Sequence, residues 1–215
     1  MPLTNKGISK IEVLIIVAII VFPILMIILL NTNNYANDVP SSIIDSERVY
    51  ECDYHTISFK THISFEMDGE EYHITGNLIR FFTDPLKLTK DGKDVGYASD
   101  SYHIINQDDH VIIVDGNFEV CINGNFELLG ESYELYDKDG NKVGYADFNA
   151  VHTGGAIYDA NGHAVAVFSS PLGFNDYTVK IYDNNICSDK AMLMVIASYV
   201  SDYKADEQSS RSSKD

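Results

Sequence analysis

The sequence predicts a mainly β body, an antiparallel closed wall of strands around one buried C-terminal helix, carried behind an N-terminal transmembrane helix. Three observations lead there. Short runs of alternating apolar and polar residues are separated by Asp-Gly and Asn-Gly pairs from residue 49 onward, the signature of β-hairpins with tight turns. Near the C-terminus, Ala191 to Val200 is apolar except for Ser198 and the Tyr199 hydroxyl. A helix with no polar face is enclosed on all sides. Finally, every residue from Val13 to Leu30 is apolar.

Residues 1–10 form a short basic N-terminus and 11–30 the predicted transmembrane helix. The eighteen residues Val13 to Leu30 span about 27 Å as a helix, close to the hydrocarbon thickness of a bilayer. A cleavable signal has a shorter core followed by a small-x-small site, and NTNNYANDVPSS after Leu30 holds no such site. The stretch therefore reads as a permanent anchor, with Pro23 tolerated as membrane helices allow. Lys6 and Lys10 precede the span, and the first basic residue after it is Arg48. The positive-inside bias keeps the N-terminus in the cytoplasm and puts the body outside the cell membrane, as a single-pass protein.

Glu12 lies at the edge of this span, where a carboxylate is costly. The stretch Lys6-Gly7-Ile8-Ser9-Lys10-Ile11-Glu12 resembles the processing motif of type IV prepilins, over about 25 residues. That resemblance implies cleavage after Gly7, a new N-terminus at Ile8 and an acidic residue at Glu12. Lys10 departs from the pattern, and so does the Asn-rich, Pro40-containing stretch after the span, where a pilin stem would continue as a long helix. The simpler reading is an anchor with a basic flank and an interfacial Glu. Residues 31–48 read as a polar linker holding the body off the membrane.

The body, 49–203, begins with ISFKTHISFEMDGEEYHITGNLIRFF, which alternates on both sides of Asp68-Gly69. A two-residue turn there sets Ser64 opposite His73 and His62 opposite Thr75. Further turns are predicted at Asp91-Gly92, Asp115-Gly116, Asn123-Gly124, Asp139-Gly140 and Asn161-Gly162. The segment KDGKDVGYA from Lys90 returns as KDGNKVGYA from Lys138, with a weaker copy DANGHAVAV from Asp159. Regular short strands with Gly turns argue for an antiparallel sandwich or barrel; repetition at this scale implies a fold assembled from similar hairpins, and a meander that closes on itself removes its exposed edges. The terminal helix is expected over about 189–203, capped by Ser188, with Asp189 at the positive end of its dipole. It fits inside the β body as a plug. The tail 204–215 is charged and Ser-rich and reads as disordered.

The hairpins YELYDKDGNKVGYADF and AIYDANGHAVAVFSS, then DYTVKIYD and the closing SDKAMLMVIASYVSDY, resemble the tubby C-terminal-like superfamily. The LURP-one-related branch, also related to phospholipid scramblases, is the nearest in pattern. The resemblance covers roughly Phe59 to Tyr203 and implies about twelve strands wrapped around one hydrophobic helix. Tubby proteins bind phosphoinositides through a basic pocket, and this chain lacks the charge for one.

The chain carries 32 acidic and 15 basic residues, net −17. Setting aside Lys6, Lys10 and Glu12 leaves 31 acidic against 13 basic in the remainder. A nucleic-acid partner needs a basic face, and an anionic lipid surface attracts Lys/Arg clusters; both are disfavoured for the body. Cys52, Cys121 and Cys187 are far apart, too few for a disulfide framework. They read as reduced, buried thiols, with one bridge plus a free thiol as the alternative.

No catalytic constellation stands out. Among His55, His62, His73, His103, His110, His152 and His163, the pair His62 and His73 lies diagonally on one sheet face, with no evident third metal ligand. Asp137-Lys138-Asp139-Gly140 lacks the spacing of a calcium loop and reads as a turn. His152-Thr153-Gly154-Gly155 is not a phosphate loop, having no Lys-Ser/Thr end, and reads as a connection between strands. No nucleophile elbow, paired acid and base carboxylates or cofactor motif is present. The chain therefore reads as a membrane-anchored, non-enzymatic β domain that binds a partner or ligand at the membrane surface. A processed pilin-like subunit and a lipid-associated, scramblase-like protein are the alternatives.

Overall fold

The computed structural model describes Val21 and residues 35–57, 60–77, 86–100, 109–127, 130–149, 152–171 and 176–212. The predicted span 11–30, apart from the helical Val21, lies outside the described residues, as do Gly7, Ile8, Glu12 and His103. Among the described residues no helix is long and apolar enough to cross a membrane.

Twelve strands form one closed antiparallel barrel in sequential order, sealed between the first and the last. They are β1 (Arg48–Ile57), β2 (Lys60–Met67), β3 (Glu70–Asn77), β4 (Leu86–Lys90), β5 (Lys93–Asp100), β6 (Asp109–Val114), β7 (Asn117–Glu127), β8 (Gly130–Tyr136), β9 (Lys142–Asn149), β10 (Gly154–Asp159), β11 (Ala164–Ser169) and β12 (Asp176–Ile181). Closure sets Cys52 opposite Tyr177 and Tyr50 opposite Val179. The alternation seen in the sequence is the alternation of the wall. In β2, Thr61, Ile63, Phe65 and Met67 are buried while their neighbours are more exposed, as a strand with one wet face requires.

The helix α1 (Asp189–Ser212) threads the barrel. Ala191 to Val200 are each no more than 4 % exposed and share one cluster with inward residues such as Ile74, Leu88, Ile122 and Val179. An apolar decapeptide with no wet side is thus matched by a wall that surrounds it. Ser188 Oγ accepts the Ala191 N–H at 3.3 Å, satisfying one of the orphan donors of the first turn.

The two ends of the barrel differ. At one end lie five tight turns. Asp68-Gly69, Asp91-Gly92 and Asp115-Gly116 have positive φ at both central residues, the mirror-image turn that matches strand twist. In the other two turns only Gly140 and Gly162 are left-handed. There the Asp137 and Asp159 carboxylates accept N–H bonds from Asn141 and His163 at 2.8 Å. α1 starts at this acidic end and rises toward the other.

Three expectations are corrected. Asn123-Gly124 is not a turn but lies within β7, Asn123 opposite Asp109 and Glu134 and Gly124 opposite Tyr133. The dipeptide permits a turn, but the pairing continues past it to Glu127, where the hairpin with β8 is reached. The stretch read as a free polar linker is, from Tyr35 to Ser46, a strap of two 3-10 turns laid on the wall. Tyr35, Val39 and Ile43 pack against Ala156, Tyr158, Ala164 and Tyr182, and the Tyr158 hydroxyl donates to Asp38 at 3.0 Å. Three apolar side chains among polar ones suffice to anchor it. Because β10 faces α1 on one side and the strap on the other, all six of its residues are buried. Lastly, the tail expected to be disordered from 204 continues α1 as far as Ser212. Its Lys, Ala, Glu and Gln residues are good helix formers, and α1 supplies a nucleus already in place.

The repeated VGYA glycines have a steric reason. A Cβ at Gly96 would stand 2.8 Å from the Ile113 carbonyl oxygen, and one at Gly144 would overlap the Tyr158 carbonyl oxygen. Both glycines sit beside a β-bulge, at Leu88/Thr89 and Leu135/Tyr136, where the bulged hairpin brings backbones close.

Candidate functional site

Three clusters bring together side chains able to do chemistry. The first locks the start of α1. Asp189 accepts from Arg48 Nε at 2.6 Å, from a second Arg48 nitrogen at 2.9 Å and from the Tyr50 hydroxyl at 2.7 Å. The forked guanidinium matches both carboxylate oxygens, and the negative charge sits at the positive end of the helix dipole. Nearby, Lys190 donates to Asp115 at 2.9 Å and lies 5.3 Å from the Tyr72 ring centre. The Ser188 N–H donates to Glu119 at 2.9 Å. Burial first, then the Asp189 carboxylate, pushes the Tyr50 hydroxyl well above its ordinary pKa. These groups pair with one another, so the cluster fastens the plug.

The second cluster lies where α1 leaves the barrel. His152, in the β9–β10 connection, holds a left-handed φ of 56°. Its Nδ1 is 2.5 Å from the Tyr199 hydroxyl, and its ring lies tilted against Tyr203, ring centres 4.0 Å apart. Tyr199 in turn stacks on Phe148 at 3.7 Å and meets Tyr133 and Phe168 edge-on. Asn149 braces the connection: its side-chain oxygen accepts the Thr153 N–H at 2.9 Å, and its backbone oxygen accepts the His152 N–H at 2.9 Å. Lys204 lies 5.7 Å from the Tyr54 ring centre, and Tyr54 exchanges a hydrogen bond with Thr56 at 3.1 Å. Burial pushes His152 below its ordinary pKa, because desolvation penalises the charged ring. The sequence reading of residues 152–155 as a plain connection missed this contact. The clue available was a histidine beside two glycines, one of which, Gly155, leaves no room for a Cβ against Phe148.

The third cluster is on the outer wall. The pairing sets Ser64 opposite His73 and His62 opposite Thr75, the register predicted from the Asp68-Gly69 turn. It also sets His55 directly opposite His62, a neighbour the sequence did not reveal because β1 pairs through a connection without a recognisable turn pair. Asp53 holds His55 Nε2 at 2.9 Å and stands opposite Asp176 on β12. Hydrogen bonding to Asp53, which favours a shared proton, raises the Asp176 pKa. Among the described residues, however, no three His, Cys, Asp or Glu groups converge to hold a metal ion. His163 belongs to the Asp159 turn, 3.4 Å from its carboxylate, and His110 lies on β6 opposite Ile122.

Cys52, Cys121 and Cys187 stand as free thiols, the first and last buried. Burial pushes the Cys52 thiol up to about 12 and Cys187 higher still, which leaves both protonated and poor nucleophiles. The Asp137 carboxylate is engaged by Asp139 and Asn141, as the turn reading requires. Comparison with known proteins finds no matching family model, no matching curated protein and no matching solved structure.

Proposed function

We propose that this chain is a membrane-tethered β-barrel domain of the tubby-like, LURP-one-related kind, which binds a partner at the membrane surface and performs no chemistry of its own. The observation that carries this reading is the filled interior. With Ala191 to Val200 packed against the inward faces of the wall, the space that larger barrels use for a ligand is occupied by the protein itself. Recognition then falls to the rims and the outer wall, where polar side chains largely engage one another. The acidic balance of the body favours a neutral or basic partner over an anionic membrane or nucleic acid.

The topology proposed is N-terminus inside and barrel outside, tested by protease treatment of intact cells. Digestion of the barrel is the expected result, and protection of everything beyond Asn31 would overturn it. Flotation of a 34–215 fragment with acidic vesicles is expected to show no binding, and clear binding would favour the scramblase-like alternative. The pilin-like alternative predicts loss of seven residues ending at Gly7, which intact-mass measurement reads directly. The strap from Tyr35 to Ser46 weighs against it, because a pilin stem would be helical there.

A further inference from the structure

We infer that His55 and His62, facing each other across β1 and β2 on the outer wall, form a two-imidazole site for a divalent first-row transition metal ion such as Ni²⁺ or Zn²⁺.

Register brings the pair together. His55 lies directly opposite His62 in the β1–β2 ladder. Cross-strand partners share a face and hold their Cβ atoms about 4.5–5.5 Å apart. Here that face is the outer one: the flanking Tyr54, Thr61 and Ile63 are buried, while His55 is exposed and His62 half-buried. Two imidazoles holding one ion at about 2.0–2.1 Å need their ligating nitrogens about 3 Å apart, a separation that rings rising from such neighbours can reach. His62 and His73, the pair singled out by the sequence, stand on a diagonal instead, about 7–8 Å apart. The His73 ring also lies 3.9 Å from the Glu71 carboxylate.

Hydrogen bonding prepares one of the two ligands. His55 Nε2 stands 2.9 Å from an Asp53 carboxylate oxygen. An ionised carboxylate only accepts, so Nε2 carries the ring proton and the Nδ1 lone pair is left for a metal. Histidines that bind metals typically have this arrangement, in which a carboxylate on the other ring N–H fixes the tautomer and raises the basicity of the ligating nitrogen. Asp53 is therefore a positioning residue acting through His55, not a third ligand. His62 has no hydrogen-bond or ion-pair partner among the described residues, so an ion displaces nothing there. Asp176, opposite Asp53 on β12, adds negative charge to the same region of the wall, which favours a cation. Imidazole suits zinc, copper and nickel, whereas magnesium and calcium take oxygen ligands. With two protein nitrogens, the remaining positions on the ion belong to water, which makes the site open rather than closed.

The test titrates Ni²⁺ into the full chain in detergent, prepared without a histidine tag, by isothermal titration calorimetry, with Mg²⁺ as the negative probe. His55→Gln and His62→Gln are each expected to weaken Ni²⁺ binding by about tenfold or more, since the second imidazole acts as an intramolecular ligand. His73→Gln should change it by less than about twofold, because a diagonal neighbour is out of reach. Asp53→Asn should weaken it by about tenfold, with both ligands still in place. A second readout needs no variant protein to fold: in the wild type, substoichiometric Ni²⁺ should broaden two imidazole NMR signals ahead of those from the other five of the seven histidines. Wild-type affinity in either His55→Gln or His62→Gln, an equal loss in His73→Gln, or simultaneous broadening of all imidazoles would overturn the inference. Unchanged affinity in Asp53→Asn would overturn the role given to that carboxylate.

Discussion

Truncating Leu193 tests whether α1 is enclosed. Leu193 is 1 % exposed and belongs to the cluster that includes the inward residues of the wall. Leu193→Ala removes three carbons, about 2.4 kcal/mol of transfer free energy at about 0.8 kcal/mol each. The cavity left behind brings typical Leu→Ala losses to about 2.7–5 kcal/mol. The better helix propensity of alanine returns only a few tenths. A loss of about 3–4 kcal/mol is expected, a large share of a domain stability of about 5–15 kcal/mol. Val49→Ala on β1 is the control: Val49 is 48 % exposed, and its truncation is expected to cost under about 1 kcal/mol. The assay is urea unfolding of the compact 34–215 unit, followed by circular dichroism and tyrosine fluorescence, since the chain has fourteen Tyr and no Trp. At an m-value of about 2–3 kcal/mol/M, the midpoint should fall by about 1–2 M with m unchanged. If Leu193→Ala and Val49→Ala cost the same, the helix is not surrounded and the filled-barrel reading fails.

Gly144→Ala should destabilise by about 1–3 kcal/mol, because the clash is with the backbone of Tyr158, which cannot swing aside; a thermal melt beside Lys138→Ala checks it, and equal melting would contradict the packing. Asp176→Asn should raise the urea midpoint at pH 7. The folded-state pKa of Asp176 is raised by Asp53, so the penalty for its charge is full at neutral pH and disappears below its ordinary value of 3.8; a gain that persists at pH 3 would argue against this cause. His152 has a folded-state pKa below its ordinary 6.5, so the unfolded chain binds more protons as pH falls through that value. Stability should therefore decline from about pH 6.5 downward, and His152→Asn, which tolerates the left-handed backbone, should flatten that decline in urea midpoints taken from pH 8 to pH 5.

Much of the wall was legible because each part of its signal is local. Alternation in THISFEM and the Asp68-Gly69 pair together fixed a register that placed His62 and Ser64 correctly, since a two-residue turn leaves no freedom in pairing. Likewise, the enclosure of α1 followed from the lack of any polar face between Ala191 and Val200. What escaped depends on contacts distant in sequence. Nothing near Arg48 announces Asp189, 141 residues away, or near His55 its neighbour His62. The strap escaped because its burial rests on three side chains within a polar composition. Asn123-Gly124 shows the limit of the local signal: the dipeptide allows a turn, and only the pairing partners decide whether one forms.

The plug follows the whole of its wall in the chain and so leaves the ribosome after it. Strand β12 must arrive before β1 has its second neighbour, and α1 follows it, so the inward faces of all twelve strands wait unfilled during synthesis. Loss of residues 189–212 would therefore remove the centre of the domain rather than trim its margin. A premature stop anywhere before Val200 should leave an open, sticky wall that quality-control proteases clear, however much of the chain has been made.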